Sequence, residues 1–198
     1  MAQLDFSQPA PTAAFQETTW TESSSARHLL RLEVVTDTRR IVGVAHHATI
    51  VRPVDLLNWT TEALALADIE VWSLESQARA PHRWPQAHVS KHTIIVVIPQ
   101  EVAPPEAGAN GRPLEHVEKR PWRVSTLLPR LMVTGYFHLS LAADPDNASL
   151  FWNAGFVPLT DAEAVYLPDP AITWKAPVII VNTARVEAYC PAAALTEE

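Results

Sequence analysis

With 198 residues, 47% of them hydrophobic, the chain can bury the core of one large domain or of two small ones. Seventeen prolines against five glycines disfavour long helices and a glycine-rich phosphate loop, and the longest apolar run, Thr93–Pro99, is too short to span a bilayer. The formal charge of −7 divides into −3 for residues 1–26, +1 for 27–99, −1 for 100–120, −2 for 121–191 and −2 for 192–198, which leaves no basic stripe to follow a phosphate backbone.

Residues 1–26, rich in Ser, Thr, Pro, Gln and Ala, carry no period of 2 or 3.6 and read as a flexible arm in which Trp20 is suited to anchor on the body. Their first residues lack a basic head followed by an apolar stretch. Together with the single cysteine, Cys190, this gives the expectation of a cytoplasmic protein with no internal disulfide. From His28 short strands are expected. Leu29–Thr36 alternates apolar and polar residues, Asp37–Arg40 turns, and Ile41–Val51 returns with Gly43 marking a bulge or sharp bend. Pro53 suits the first position of a short helix or helical turn, a strand ALADIEVWSL follows, and His88–Pro99 closes the unit as one apolar strand. Residues 100–120, with three prolines and two glycines, form a linker.

The chain then repeats itself. A separation of 93 pairs Leu57 with Leu150, Trp59 with Trp152, Leu66 with Leu159, Asp68 with Asp161 and Glu70 with Glu163. Leu32–Thr36 matches Trp122–Thr126 at 90, after which the second copy's first turn is two residues longer. Gly43–His46 matches Gly135–His138, and Val89–Pro99 matches Val181–Pro191, both at 92. Near-constant spacing over about seventy residues predicts a duplicated unit, 27–99 and 121–191, of order strand, strand, short helix or turn, strand, strand, with 192–198 as a tail. Two such units bury little alone and are expected to pack together as a pseudo-dimer.

These residues resemble a family of small bacterial domains of unknown function. Its elements are matched by Ile41–Gly43, by the turn Arg52, Asp55, Leu57 and Asn58, by Leu159–Ala162 in the second copy, and by a closing element at Val181–Val186; the two matches cover about 140 residues. The layout is also similar to the Sm-like barrel, a bent five-stranded sheet known for ring assembly and often for RNA binding. That resemblance implies an Asp and an Asn facing a nucleotide, matched by Asp55 and Asn58, but the second copy has Ala148 and Phe151 there, and neither copy has the Arg-Gly pair of the last hairpin. The expected fold is therefore all-β with one short helix per copy, two tandem small Sm-like bent-sheet or barrel units.

Candidate chemistry is thin. His46 and its counterpart His138 are binding candidates, whereas His46 and His47 point to opposite strand faces and His88 and His92 stand about 13 Å apart, too far to share a metal ion. Cys190 sits late in an apolar strand, where thiols are buried and inert. Asp68/Glu70 and Asp161/Glu163, at spacing two, share a strand face about 6–7 Å apart, a separation that suits a glycosidase pair. Trp59 and Trp152 are expected to plug the core or the interface between copies, with an aromatic binding platform as the other reading. Arg52, Asp55 and Asn58 complete the binding candidates. The leading expectation is a non-enzymatic interaction or assembly module that takes a protein partner or a second copy, with no cofactor, metal or membrane. The alternatives are a small-ligand or hydrolytic site in the groove between copies, using His46, His138 or the paired acids, and weak RNA binding. Nucleic acid is not the expected partner, and single-stranded RNA should bind no tighter than about 10 µM.

Overall fold

The computed structural model describes residues 28–47, 52–76, 80–100, 118–141, 151 and 155–191. The expected arm, most of the linker, the tail, Trp20, Ala148 and Trp152 lie outside them. The described residues form one antiparallel sheet of ten strands. In chain order these are β1 (His28–Thr36), β2 (Arg39–His47), the helix α1 (Pro53–Leu57), β3 (Ala63–Ser73), β4 (His82–Ser90), β5 (Ile94–Pro99), β6 (Lys119–Leu128), β7 (Leu131–Ser140), β8 (Phe156–Tyr166), β9 (Thr173–Asn182) and β10 (Ala188–Pro191). Across the sheet the order is β10-β6-β7-β8-β9-β5-β1-β2-β3-β4. An all-β fold with Pro53 in the first turn of a five-residue helix agrees with the sequence reading.

The closing strands do not. His88–Pro99 is broken at Lys91–Thr93 by a single 3₁₀ turn, and Val181–Pro191 at Thr183–Arg185 by another. The cause is local. Thr93 Oγ1 donates to Ser90 O (2.8 Å), and Asn182 Oδ1 accepts from Ala184 N (3.1 Å), so each side chain offers the backbone a turn in place of the ladder. Each half therefore contributes five strands rather than four. β4 and β5 lie on opposite margins of the group β5-β1-β2-β3-β4, yet only three residues join them. Four chain steps reach about 14 Å, while four strand spacings laid flat need roughly 19 Å. The group must curl, and β10-β6-β7-β8-β9 is subject to the same constraint.

Register corrects one alignment. Leu32 pairs with Gly43 and Val124 with Gly135, so Leu32 corresponds to Val124 at a separation of 92, not 90. The two hairpin turns, Asp37-Thr38 and Pro129-Arg130, are the same length. The same separation relates β4 to β9 and β5 to β10, and β3 to β8 differ by 93. Both halves break register at the expected glycine, between Val42 and Val44 and between Thr134 and Tyr136. Space there is short: a Cβ on Gly43 would lie 3.1 Å from Leu66 Cβ, a tight contact, and one on Gly135 2.9 Å from Ala162 Cβ, where something must shift. Opposite each glycine an aspartate adopts the left-handed conformation, Asp68 at φ 48° and Asp161 at φ 46°. Both are missing from the β3·β4 and β8·β9 ladders, where Pro85 and Pro177, lacking an N–H, sit across from them.

The halves meet through β5 and β9, with Val96 opposite Val181 and Val97 opposite Ile180. Apolar packing interleaves across this joint. Val35, Leu74, Ile95, Val96 and Ile98 of the first half belong to the core built on β6–β9, while Phe156 and Ile180 belong to the core built on β1–β4. The seam between the halves is packed rather than open along β5 and β9.

Candidate functional site

The polar groups that cluster most densely lie at this joint. Glu33, on β1, is 3% exposed and accepts four hydrogen bonds: from Arg40 Nε and Nη2 (the latter 3.1 Å), from Gln100 Nε2 (3.0 Å) and from Trp174 Nε1 on β9. The carboxylate of Glu33 holds Arg40 above the usual guanidinium range, and the Arg40 guanidinium lies 4.9 Å from the Trp72 ring centre. Asn182, also buried, donates to Lys91 O (3.1 Å) and Ile94 O (2.8 Å). Arg185 Nη2 reaches both oxygens of Asp37 at 2.9 and 2.8 Å, and Arg130 Nη1 reaches Glu75 at 2.7 Å. Arg40 and Gln100 hold Glu33 from its own side, while the bonds of Trp174 to Glu33, Asn182 to Lys91 and Ile94, Arg185 to Asp37 and Arg130 to Glu75 tie one half to the other.

Arg40, Trp72, Ser73, Glu75, Asp169 and Trp174 contribute to the walls of a cleft of about 740 Å³ at one end of the joint. Two indoles, a guanidinium and two carboxylates offer a ligand shape and charge. Arg40 is already matched by Glu33 and Glu75 by Arg130, so two of the three charged wall groups are neutralised, while Asp169 Oδ1 accepts from Ala171 N (3.2 Å). Neither histidine nor cysteine lines the cleft, and among the described residues no group of three or more His, Cys, Asp or Glu is placed to hold a metal ion.

The sequence candidates are distributed elsewhere. Around α1, Arg52 forms a two-pronged pair with Asp55 (2.7 and 2.8 Å) within a single turn; the Asp55 bonds keep Arg52 above its usual range. Asn58 is a clamp between halves: its Nδ2 donates to Phe156 O (2.9 Å) and its Oδ1 accepts from Phe156 N (2.8 Å), which satisfies β8 as a neighbouring strand would. Gly155 at φ 71° makes room for it, since a Cβ there would meet Asn58 Oδ1 at 2.7 Å. Trp59, expected in the core, is 47% exposed and packs edge-on against His47 at 4.6 Å. Its carbonyl accepts from Lys91 Nζ (3.0 Å), and Lys91, buried beside it, is pushed below the usual lysine pKa by desolvation, which outweighs the opposing pull of Glu62. His46 and His138 are exposed on β2 and β7, five strands apart in the sheet; His138 Nε2 shares a hydrogen bond with Thr160 Oγ1 (2.8 Å).

One further expectation is overturned, that for Cys190. The left-handed bulge interrupts the ladders at Asp68 and Asp161, and in each pair the two acids flank one buried residue, Ile69 or Ala162. Glu70 pairs with Arg83 (2.9 Å) and Glu163 with Lys175 (3.2 Å). Cys190 is exposed on the margin strand β10, not buried. Glu33 and Trp174 carried no signal in the sequence, and Asn182 figured there only within the closing element Val181–Val186, because nothing local separates a strand glutamate facing solvent from one facing a partner strand 141 residues away.

Comparison with family models, curated proteins and solved structures returns no match. Among the described residues no helix is long and apolar enough to cross a membrane.

Proposed function

We propose that this chain is a non-enzymatic assembly module, two fused copies of one bent five-stranded unit, Sm-like in strand layout, that takes up a protein partner by strand pairing at its sheet margins. The observation that carries this reading is the β5·β9 ladder, in which two equivalent halves associate edge to edge while β4 and β10 stand at the margins of the described sheet. The equal turns, the paired Gly43/Gly135 and Asp68/Asp161 bulges and the nearly constant separation support duplication. Nucleic acid has no part in this reading, since the charge of the second copy is negative.

The test places a photo-reactive amino acid at His88 or Tyr189 in the full chain and irradiates cells. Covalent products at the margin positions, absent when the label sits at Met132 on the interior strand β7, are expected. No product at either margin would overturn the reading.

A second reading rests on the cleft, whose indoles and charged pairs suit a small ligand. Binding there should quench Trp72 and Trp174 fluorescence and weaken in Trp72→Ala. His46, His138 and the Asp68/Glu70 and Asp161/Glu163 pairs are not the cleft's walls, so this reading is of binding and not of hydrolysis.

A further inference from the structure

The inner joint shows what each margin requires. Along it the first half offers Val35, Leu74, Val96 and Ile98 to the second half's core, and all four are buried, at 0 to 6% exposure. The register makes Leu127, Leu167, Ala188 and Cys190 their counterparts at the other end of the sheet. A backbone bond identifies the Leu74/Leu167 equivalence independently: Leu74 N donates to Thr38 O (3.0 Å) and Leu167 N to Arg130 O (2.8 Å), from matching turn residues. Yet Leu127 is 40% and Leu167 44% exposed, and Ala188 and Cys190 are exposed with them. The β10 margin thus carries the apolar strip of a joint with nothing among the described residues covering it.

The complementary surface is at the far end. β9 meets the joint with Val178 and Ile180, and their counterparts on β4 are Gln86 and His88, both exposed, beside Trp84 at 51%. Prolines do not bar pairing there. Pro85 and Pro191 occupy the positions of Pro177 and Pro99, which the inner joint accommodates outside its ladder.

We infer that the β10 margin takes the β4 margin of a second copy of this chain, repeating the inner joint in the same register. This rests on the assembly reading and names its partner. Val96 opposite Val181 becomes Ala188 opposite Val89 of the second copy, and Val97 opposite Ile180 becomes Tyr189 opposite His88. Every copy holds one margin of each kind, so the contact is head-to-tail and extends past a dimer. His88, Gln86, Ala188 and Cys190 replace Ile180, Val178, Val96 and Ile98, so the outer joint buries less apolar surface than the inner one. It is accordingly reversible and concentration-dependent.

The native cysteine provides the test. One step along the same register Cys190 faces Ala87 of the second copy, with Cβ atoms of opposed residues about 4.5–5.5 Å apart, near bridging distance. In Ala87→Cys, diamide takes up two electrons and two protons as the two thiols become a disulfide. The expected product is a ladder of trimers and longer species. The parent, with one cysteine, stops at a dimer, and Met132→Cys, which carries its second thiol on the interior strand β7 two strands from the margin, should give at least tenfold less trimer. No trimer from Ala87→Cys, or as much from Met132→Cys, would overturn the inference. A disulfide within one chain would do the same and would place a segment of the chain itself on the margin. Sedimentation velocity adds an arm free of thiol chemistry. The parent mass should rise with concentration, and Leu127→Glu/Leu167→Glu, exposed and melting like the parent, should stay monomeric. A parent monomeric up to its solubility limit refutes self-docking. If photo-crosslinking in cells then captures other proteins, the assembly reading survives with a different partner. If it captures nothing, both fall.

Discussion

Replacing Glu33 by Gln keeps the shape of the side chain and removes one acceptor oxygen, which isolates what the buried carboxylate does. Each carboxylate oxygen receives two donors: Oε1 from Arg40 Nε and Trp174 Nε1, Oε2 from Arg40 Nη2 and Gln100 Nε2. Whichever oxygen becomes an NH₂ group confronts two N–H donors with a third. Two unsatisfied donors at about 1–3 kcal/mol each, less some relief because the Arg40 side chain is 38% exposed and can turn to water, give a loss of about 3–4 kcal/mol. For a chain of this size each kcal/mol moves the midpoint by about 2–4 °C, so the melt should fall by roughly 6–16 °C. Glu70→Gln is the control. Its partner Arg83 is 76% exposed, and such pairs contribute about 0–1 kcal/mol. Thermal melts followed by tryptophan fluorescence measure both, and Trp174, one of the donors, also reports its own environment. If Glu33→Gln melted within about 2 °C of the parent, or no lower than Glu70→Gln, the joint would not depend on this cluster.

Gly155→Ala should destabilise the fold by about 1–3 kcal/mol, since φ 71° is strained for alanine and the new Cβ displaces the Asn58 clamp; Asn58→Ala should remove most of the difference in a double-mutant cycle read by thermal melts. Trp59→Ala should cost less than about 1 kcal/mol, as befits a half-exposed ring, and a loss above about 3 kcal/mol would return it to the core. Lys91 titrates below 10.5 in the folded chain, so between its folded pKa and 10.5 the unfolded chain binds the extra proton. Stability should therefore rise with pH through that alkaline window, relative to Lys91→Met, in urea melts; a fall relative to Lys91→Met would contradict the burial argument.

The strand content, the helix at Pro53 and the bulge at Gly43 were legible because each has a short-range cause: alternation, a fixed φ, the missing Cβ. The turn lengths were misjudged since Val34-Val35-Thr36 and Val124-Ser125-Thr126 look alike when shifted by two, and only the ladders, Leu32 to Gly43 and Val124 to Gly135, fix the pairing. The break inside His88–Pro99 was hidden because Lys91 looks like a solvent-facing residue, and its burial depends on the carbonyl of Trp59, 32 positions away. The polar cluster was invisible for the same reason at longer range. Gln100 reaches Glu33 through the β1·β5 pairing, 67 positions apart, and Trp174, 141 positions away, joins them only when the halves pack.

The position of β5 has a consequence for synthesis. All six of its residues are buried, and one of its two neighbours, β9, supplies Ile180 some 83 positions after Val97. At about 5–20 residues per second the ribosome needs on the order of 4–17 s to make that stretch. During this interval a completed first half presents the sequence IIVVIP along an unsatisfied backbone edge, the kind of surface that nascent chains of neighbouring polysomes can pair with. Slowing translation between codons 100 and 182 should raise the aggregated fraction of newly made chains, while the stability of those that reach the native state is unchanged.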